Sequence, residues 1–275
     1  MNTLQITDRS FFNFANQQLE KKRDSISKES YLTYKSAFTK IEKYKPGVTL
    51  DDLTEEFIYG YRRWMLSNGN NENTCSKSLR TLRTFTNLAV RNDLLVKNPF
   101  QWLRIKKVSG KRDFLNMDEF QSIVKIYNTL SGIEKEVCRC FLFSCTTGLR
   151  YGDLKKFNLS SVKDGIINIT MHKTGLPVSV PISSKASIYL YEKKWFRVYC
   201  NKVTNRTLKI IGEKAGINKK ITFHVARHTF ATISITLGIP IEVVSKLLGH
   251  TDIKTTQIYA RVVDSVKIKE MAKWD

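Results

Sequence analysis

Three side chains able to carry positive charge, His224, Arg227 and His228, fall within the stretch HVARHTF, residues 224–230. At spacings i, i+3 and i+4 they share one side of a helix. Their apolar neighbours, Phe223, Phe230, Ala231 and Ile233, make it a helix the chain would bury. Two chemistries use such a group. Histidines at i and i+4 can hold zinc, but the place of the general-base glutamate in an H-E-x-x-H helix is taken by Val225, so no metal site is expected. The other chemistry is anion binding, with an arginine forking onto phosphate oxygens and a histidine adding a hydrogen bond. Other polar groups in the same half of the chain favour this second reading. TGLRYGDL ends an apolar run at Gly148 and presents Arg150, with Asp153 close enough to orient it. MHKTG puts Lys173 at the tip of a hairpin, and KLLGHTDIKTTQIYARV presents His250 after Gly249, then Tyr259 after a Thr-Thr pair.

In this order the four stretches resemble the boxes of the tyrosine recombinase, or phage integrase, family. TGLRYGDL is similar to its first arginine box and HKTGLPVSVPI to its hairpin lysine. HVARHTFAT fits the H-x-x-R-H box, and LLGHTDIKTTQIYARV fits the G-H…T-T-x-x-Y box. The resemblance covers roughly residues 110–265, and no catalytic position departs from it. It implies that Arg150, Lys173, His224, Arg227 and His250 surround a scissile DNA phosphate and that Tyr259 attacks it. No cofactor is implied. His228 lies outside the family's core catalytic set and is read as support for the helix around Arg227.

Elementary chemistry is consistent with those roles. A phenol has a pKa of ~10 and is a poor nucleophile at neutral pH unless a base such as His224, or a cationic field, favours its ionised form. Two arginines and a histidine fixed around the phosphate oxygens stabilise the charge that shifts during attack. Lys173 can protonate the leaving 5′ oxygen.

These groups need a scaffold, and the sequence reads as two domains, 1–105 and 106–275. In the first, SKESYLTYKSAFTKIEKYKPG places Tyr31, Tyr34, Phe38 and Ile41 on one helical face and stops at Pro46-Gly47. LTEEFIYGYRRWMLSNGNN has Thr54 as its N-cap and acids in the first turn. The next helix buries Leu79, Leu82, Phe85 and Ala89. Its other side, with Lys77, Arg80, Thr84, Asn87 and Arg91, suits either water or a DNA groove. The basic stretch 104–113, with Lys111 and Arg112, reads as a linker that either lies along phosphates or is merely solvated. In the second domain two helices lead into a small antiparallel sheet with turns at Asp164-Gly165 and Thr174-Gly175. Helices return from Ala186 to the end. The expected fold is mainly α, and the resemblance implies a helical, SAM-like core-binding bundle followed by an α-rich catalytic domain with a small antiparallel β-sheet.

Charge points to the same partner. Of 275 residues, 46 are Lys or Arg and 25 are Asp or Glu, a net charge of +21. The first domain carries +6 of this and the second +15. A surplus of this size without a basic tail indicates a polyanion such as nucleic acid, and the resemblance implies double-stranded DNA. No basic amphipathic helix or long apolar run points to a membrane. The five cysteines lack paired C-x-x-C spacing and read as free thiols of a cytoplasmic, nucleoid-associated protein.

The resemblance implies a site-specific DNA recombinase that is multimeric, as a tetramer, on DNA, and the lack of coiled-coil heptads reads as a monomer when free. One alternative is a DNA-binding protein that keeps the fold and does no chemistry. Another, a metal-dependent nuclease or transposase, would want a carboxylate cluster, and none stands out. The apolar residues Val262, Val263, Val266, Ile268, Met271 and Trp274 after Tyr259 either pack on their own domain or dock on a neighbour.

Overall fold

The computed structural model describes residues 9–105, 112–193 and 195–260. The chain divides into two compact units, residues 1–110 and 111–275, each with its own hydrophobic core.

The first unit contains α1 (Phe11–Lys21), α2 (Lys28–Tyr44), α3 (Glu55–Ser67) and α4 (Glu72–Arg91). All four start on a side chain that accepts from the first-turn backbone: Ser10, Ser27, Thr54 and Asn71. Apolar residues at helical spacing meet in the centre. Phe11, Ile41, Tyr61, Leu82 and Phe85 are all essentially inaccessible to solvent. Tyr61 keeps its hydroxyl satisfied by Ser78, at 2.8 Å. The expected stripe of α4, Leu79, Leu82, Phe85 and Ala89, is buried, whereas Lys77, Arg80 and Arg91 are exposed. Lys111 and the apolar residues from Val262 onward lie outside the described residues.

The second unit opens with α5 (Met117–Tyr127), whose Asn116 and Glu119 form a reciprocal capping box. The central element is α6 (Gly132–Thr147), buried on nearly every side. After it come α7 (Tyr151–Lys156) and a three-stranded antiparallel sheet in the order β1 (Val162–Lys163), β2 (Ile166–Thr170), β3 (Pro177–Pro181). The tight β1–β2 turn puts Asp164 and Gly165 at φ 51° and 72°, the conformation that favours an Asp-Gly pair. Then follow α8 (Ser184–Tyr191), α9 (Asn201–Lys214), α10 (Phe223–Thr236), α11 (Ile241–Leu247) and α12 (Lys254–Ala260).

Between α8 and α9 residues 195–200 hold no helix. There Arg139 of α6, fully buried, donates to the carbonyl oxygens of Tyr189 and Trp195 and lies 4.3 Å from the Phe196 ring centroid. A buried guanidinium needs acceptors, and non-helical backbone leaves its carbonyls free to serve.

Candidate active site

Every residue expected to carry chemistry sits at the end of an element or one turn inside it. The chain is sharply punctuated at these places. Gly148 ends α6 at φ 73°, and a Cβ there would meet Phe230 Cδ1 at 2.7 Å and Leu248 Cδ2 at 2.9 Å. Only glycine allows both the left-handed turn and the close approach of α10. The turn delivers Arg150 as the residue that caps α7. The buried carboxylate of Asp153 accepts from the backbone N–H of Arg150 at 3.2 Å and of His172 at 2.8 Å, and lies 3.9 Å from the Arg150 guanidinium. One carboxylate thus ties the first arginine to the strand end before the β2–β3 turn. Lys173 is exposed at that turn.

Arg227, one turn inside α10, is 2% exposed. One arm of its guanidinium donates to the carbonyl oxygen of Gly148 at 2.9 Å and the other to that of Leu248. It therefore stitches the C-terminal end of α6 to that of α11, satisfying helix-end carbonyls. Burial, and then the repulsion of Arg150, pull its pKa down to about 9, which still leaves it charged at neutral pH. Gly249 at φ 59° turns the chain out of α11, where a Cβ would strike Val178 of β3 at 2.7 Å. The next residue, His250, bonds through Nδ1 to Thr256 Oγ1 at 2.8 Å, which orients its ring. Burial, with Arg227, Arg150 and Arg112 beside it, pushes its pKa down to about 4, so it is neutral at pH 7.

Tyr259, on α12, is 4% exposed. Burial raises the pKa of its phenol, against which the hydrogen bond from Arg112 and the charges of Arg112, Arg227 and Arg150 act to lower it. Arg112 and Tyr259 thus meet within the second unit. His224 keeps an exposed face, but the atoms around it and then Arg227, Arg112, Arg150 and Lys173 hold its pKa below the ordinary value.

The structure brings together Arg150, Arg227, His224, His250 and Tyr259, and Lys173 is near enough to act on His224. Three contacts were not foreseen from the sequence. Arg112, expected along DNA, sits at the Tyr259 hydroxyl. His250 leans on Thr256 of the Thr-Thr pair. The third corrects the reading of His228 as mere support for its helix, since its Nδ1 lies 2.6 Å from the Tyr259 hydroxyl oxygen. The only sequence trace of that contact is that His228 follows Arg227 directly. Among the described residues no three His, Cys, Asp or Glu side chains gather as a metal-binding group, and no helix is long and apolar enough to cross a membrane.

Residues 113–265 match the model of the phage integrase family, and residues 10–108 match that of the phage integrase SAM-like domain. A tyrosine recombinase of Thermosipho africanus is 27% identical over 218 residues, 74% of this chain and 76% of that protein. The tyrosine recombinase XerD of Oceanobacillus iheyensis is 26% identical over 275 residues, 90% of this chain and 91% of its own. Among solved structures, a lambda integrase tetramer bound to a Holliday junction aligns over 92% of this chain and 78% of its own, with a TM-score of 0.77 at 19% identity. The Tn1549 transposon integrase in complex with a circular intermediate DNA aligns over 92% and 95%, with a TM-score of 0.78 at 15% identity. With a family model spanning more than half of its length, over the same residues that build the site, the chain belongs to the phage integrase family of tyrosine recombinases.

Proposed function

We propose that this tyrosine recombinase cleaves and rejoins duplex DNA at specific sites with Tyr259 as its nucleophile. The observation that carries the reading is a phenol buried at the focus of Arg112, Arg150 and Arg227. In the reaction, the Tyr259 oxygen bonds to the scissile phosphorus and the bond from phosphorus to the 5′ oxygen breaks. The phenol proton passes to a base, for which His224 is neutral and solvent-facing. The 5′ oxygen takes a proton from Lys173, whose place on an exposed turn allows it to reach the leaving group. Arg150, Arg227 and His250 donate to the non-bridging oxygens as charge shifts onto them. The product is a 3′-phosphotyrosine, which keeps the ester energy, so that attack by another 5′ hydroxyl rejoins the strand without ATP.

Residues 106–275 would form the catalytic domain and residues 1–105 a core-binding domain that contacts duplex DNA through Lys77, Arg80 and Arg91, with Lys111 and Arg112 at the linker. The lambda integrase neighbours include a dimer on a core site and a tetramer on a Holliday junction. They support assembly as a multimer on DNA, read here as a tetramer; a monomeric free state and a place of work in the cytoplasm are part of the same proposal.

The test is incubation with duplexes carrying the recombination site and a nick beside the scissile phosphate. Loss of the short nicked fragment then traps the intermediate. The reading expects a covalent protein–DNA adduct that survives denaturation. A protein that binds the duplex but never forms the adduct would be a silent DNA-binding member of the fold.

A further inference from the structure

The contact between His228 and Tyr259 has the geometry of a fixed support. Nδ1 lies 2.6 Å from the hydroxyl oxygen, and the two rings are tilted at 46° with centroids 5.5 Å apart. His228 is 6% exposed, and its other flank meets the edge of the His224 ring at a centroid distance of 4.4 Å. The backbone that carries it is held on both sides. Arg227, before it, is tied to the carbonyls of Gly148 and Leu248, and Thr229, after it, accepts from the backbone N–H of Leu115 at 2.9 Å. A buried ring on a helix pinned in this way has little freedom to swing.

Which atom donates in this bond depends on the tautomer of His228. The phenol oxygen accepts from Arg112, which has only donors. A neutral His228 either accepts the phenolic proton at Nδ1 or donates from it, according to its tautomer, and either way the bond fixes the place of the oxygen. Burial, together with His224, Arg112, Arg227 and His250, pushes the His228 pKa down to about 3. The contact fixes where the Tyr259 hydroxyl sits.

We propose that His228 is a positioning residue for strand cleavage, whose Nδ1 holds the Tyr259 hydroxyl among the arginines so that the oxygen is in place when the phosphate arrives. The inference rests on Tyr259 being the nucleophile. Attack needs reacting atoms aligned at close approach, and a displacement of about 1 Å can cost ~10²-fold in rate. Without that contact the Tyr259 hydroxyl loses the partner that fixes its place.

The test compares three variants in single-turnover cleavage of the nicked duplex at saturating protein, with DNA affinity measured alongside. His228→Asn keeps a hydrogen-bonding atom near the place of Nδ1, His228→Gln moves it outward towards that of Nε2, and His228→Leu removes it. The expected result is cleavage slowed by ~10²-fold in His228→Leu, restored close to the wild-type rate in His228→Asn, with DNA affinity unchanged in both. Should His228→Leu fail to fold, His228→Asn must still cleave faster than His228→Gln. Wild-type cleavage by His228→Leu, or equal rates for His228→Asn and His228→Gln, would overturn the proposal. Tyr259→Phe separates the two levels. An adduct from that variant refutes the nucleophile itself, whereas an inactive Tyr259→Phe beside a fully active His228→Leu refutes only the role of His228.

Discussion

The guanidinium of Arg227 donates to the carbonyl oxygen of Gly148 at 2.9 Å while its other arm holds the carbonyl of Leu248. A residue expected to grip phosphate is thus also the pin between the two turns that present Arg150 and His250. Arg227→Ala should lower stability as well as cleavage, since each buried carbonyl left unpaired costs about 1–3 kcal/mol. Arg227→Lys keeps the charge but lacks the planar fork that spans two carbonyls. Its cleavage should fall by ~10²–10³, measured in single turnover beside urea melts. Wild-type cleavage by the lysine variant would show that charge alone suffices.

Acid should destabilise the protein earlier than its carboxylates require. His228 and His250 have pKa values of about 3 and about 4 in the fold, against an unfolded value of ~6.5. Between these limits the unfolded chain binds more protons, so stability is full above pH ~6.5 and is lost as pH falls towards the folded values. Melting temperature should drop from pH 7 to pH 4.5, with net proton uptake on unfolding, and the slope should be shallower in His228→Asn. A flat melting temperature across that window would show that neither histidine is held neutral.

Much of this site was legible because the residues that do the chemistry are marked by local punctuation. Gly148 and Gly249 end helices where no side chain fits, and Asp164-Gly165 declares its turn. Thr54 caps α3 as its sequence suggests, accepting from the Phe57 N–H. What escaped the sequence depends on how helices far apart in the chain pack together. His228 meets a tyrosine 31 residues later, and Arg227 finds backbone carbonyls, which no residue type advertises. Arg112 reads as a linker cation because nothing near it in sequence tells of Tyr259. The packing of Arg139 against Trp195 and Phe196 was hidden in the same way.

Lys173 should matter for leaving-group protonation and little for binding. Lys173→Ala should slow cleavage of ordinary DNA by ~10²–10³. The variant should regain most of its rate on a duplex whose scissile 5′ oxygen is replaced by sulfur, since a thiolate leaves without a proton. Equal impairment on both substrates would assign the lysine a different role.

Binding should be dominated by phosphates. With a net charge of +21, log affinity should fall linearly with log salt, by roughly 0.9 for each phosphate contacted. Arg80→Ala and Arg91→Ala should each make the slope less steep if the exposed face of α4 lies on DNA. A slope unchanged in both variants would leave that face in water.

The central claim is that Tyr259 becomes covalently joined to DNA. Its most direct measurement is mass spectrometry of the protease-digested adduct from the nicked duplex, with Tyr259→Phe run beside it. The account predicts nucleotides attached through phosphate to the peptide containing Tyr259, at that residue, and no adduct from the phenylalanine variant. Nucleotides on any other side chain, or an adduct of wild-type yield from Tyr259→Phe, would contradict it.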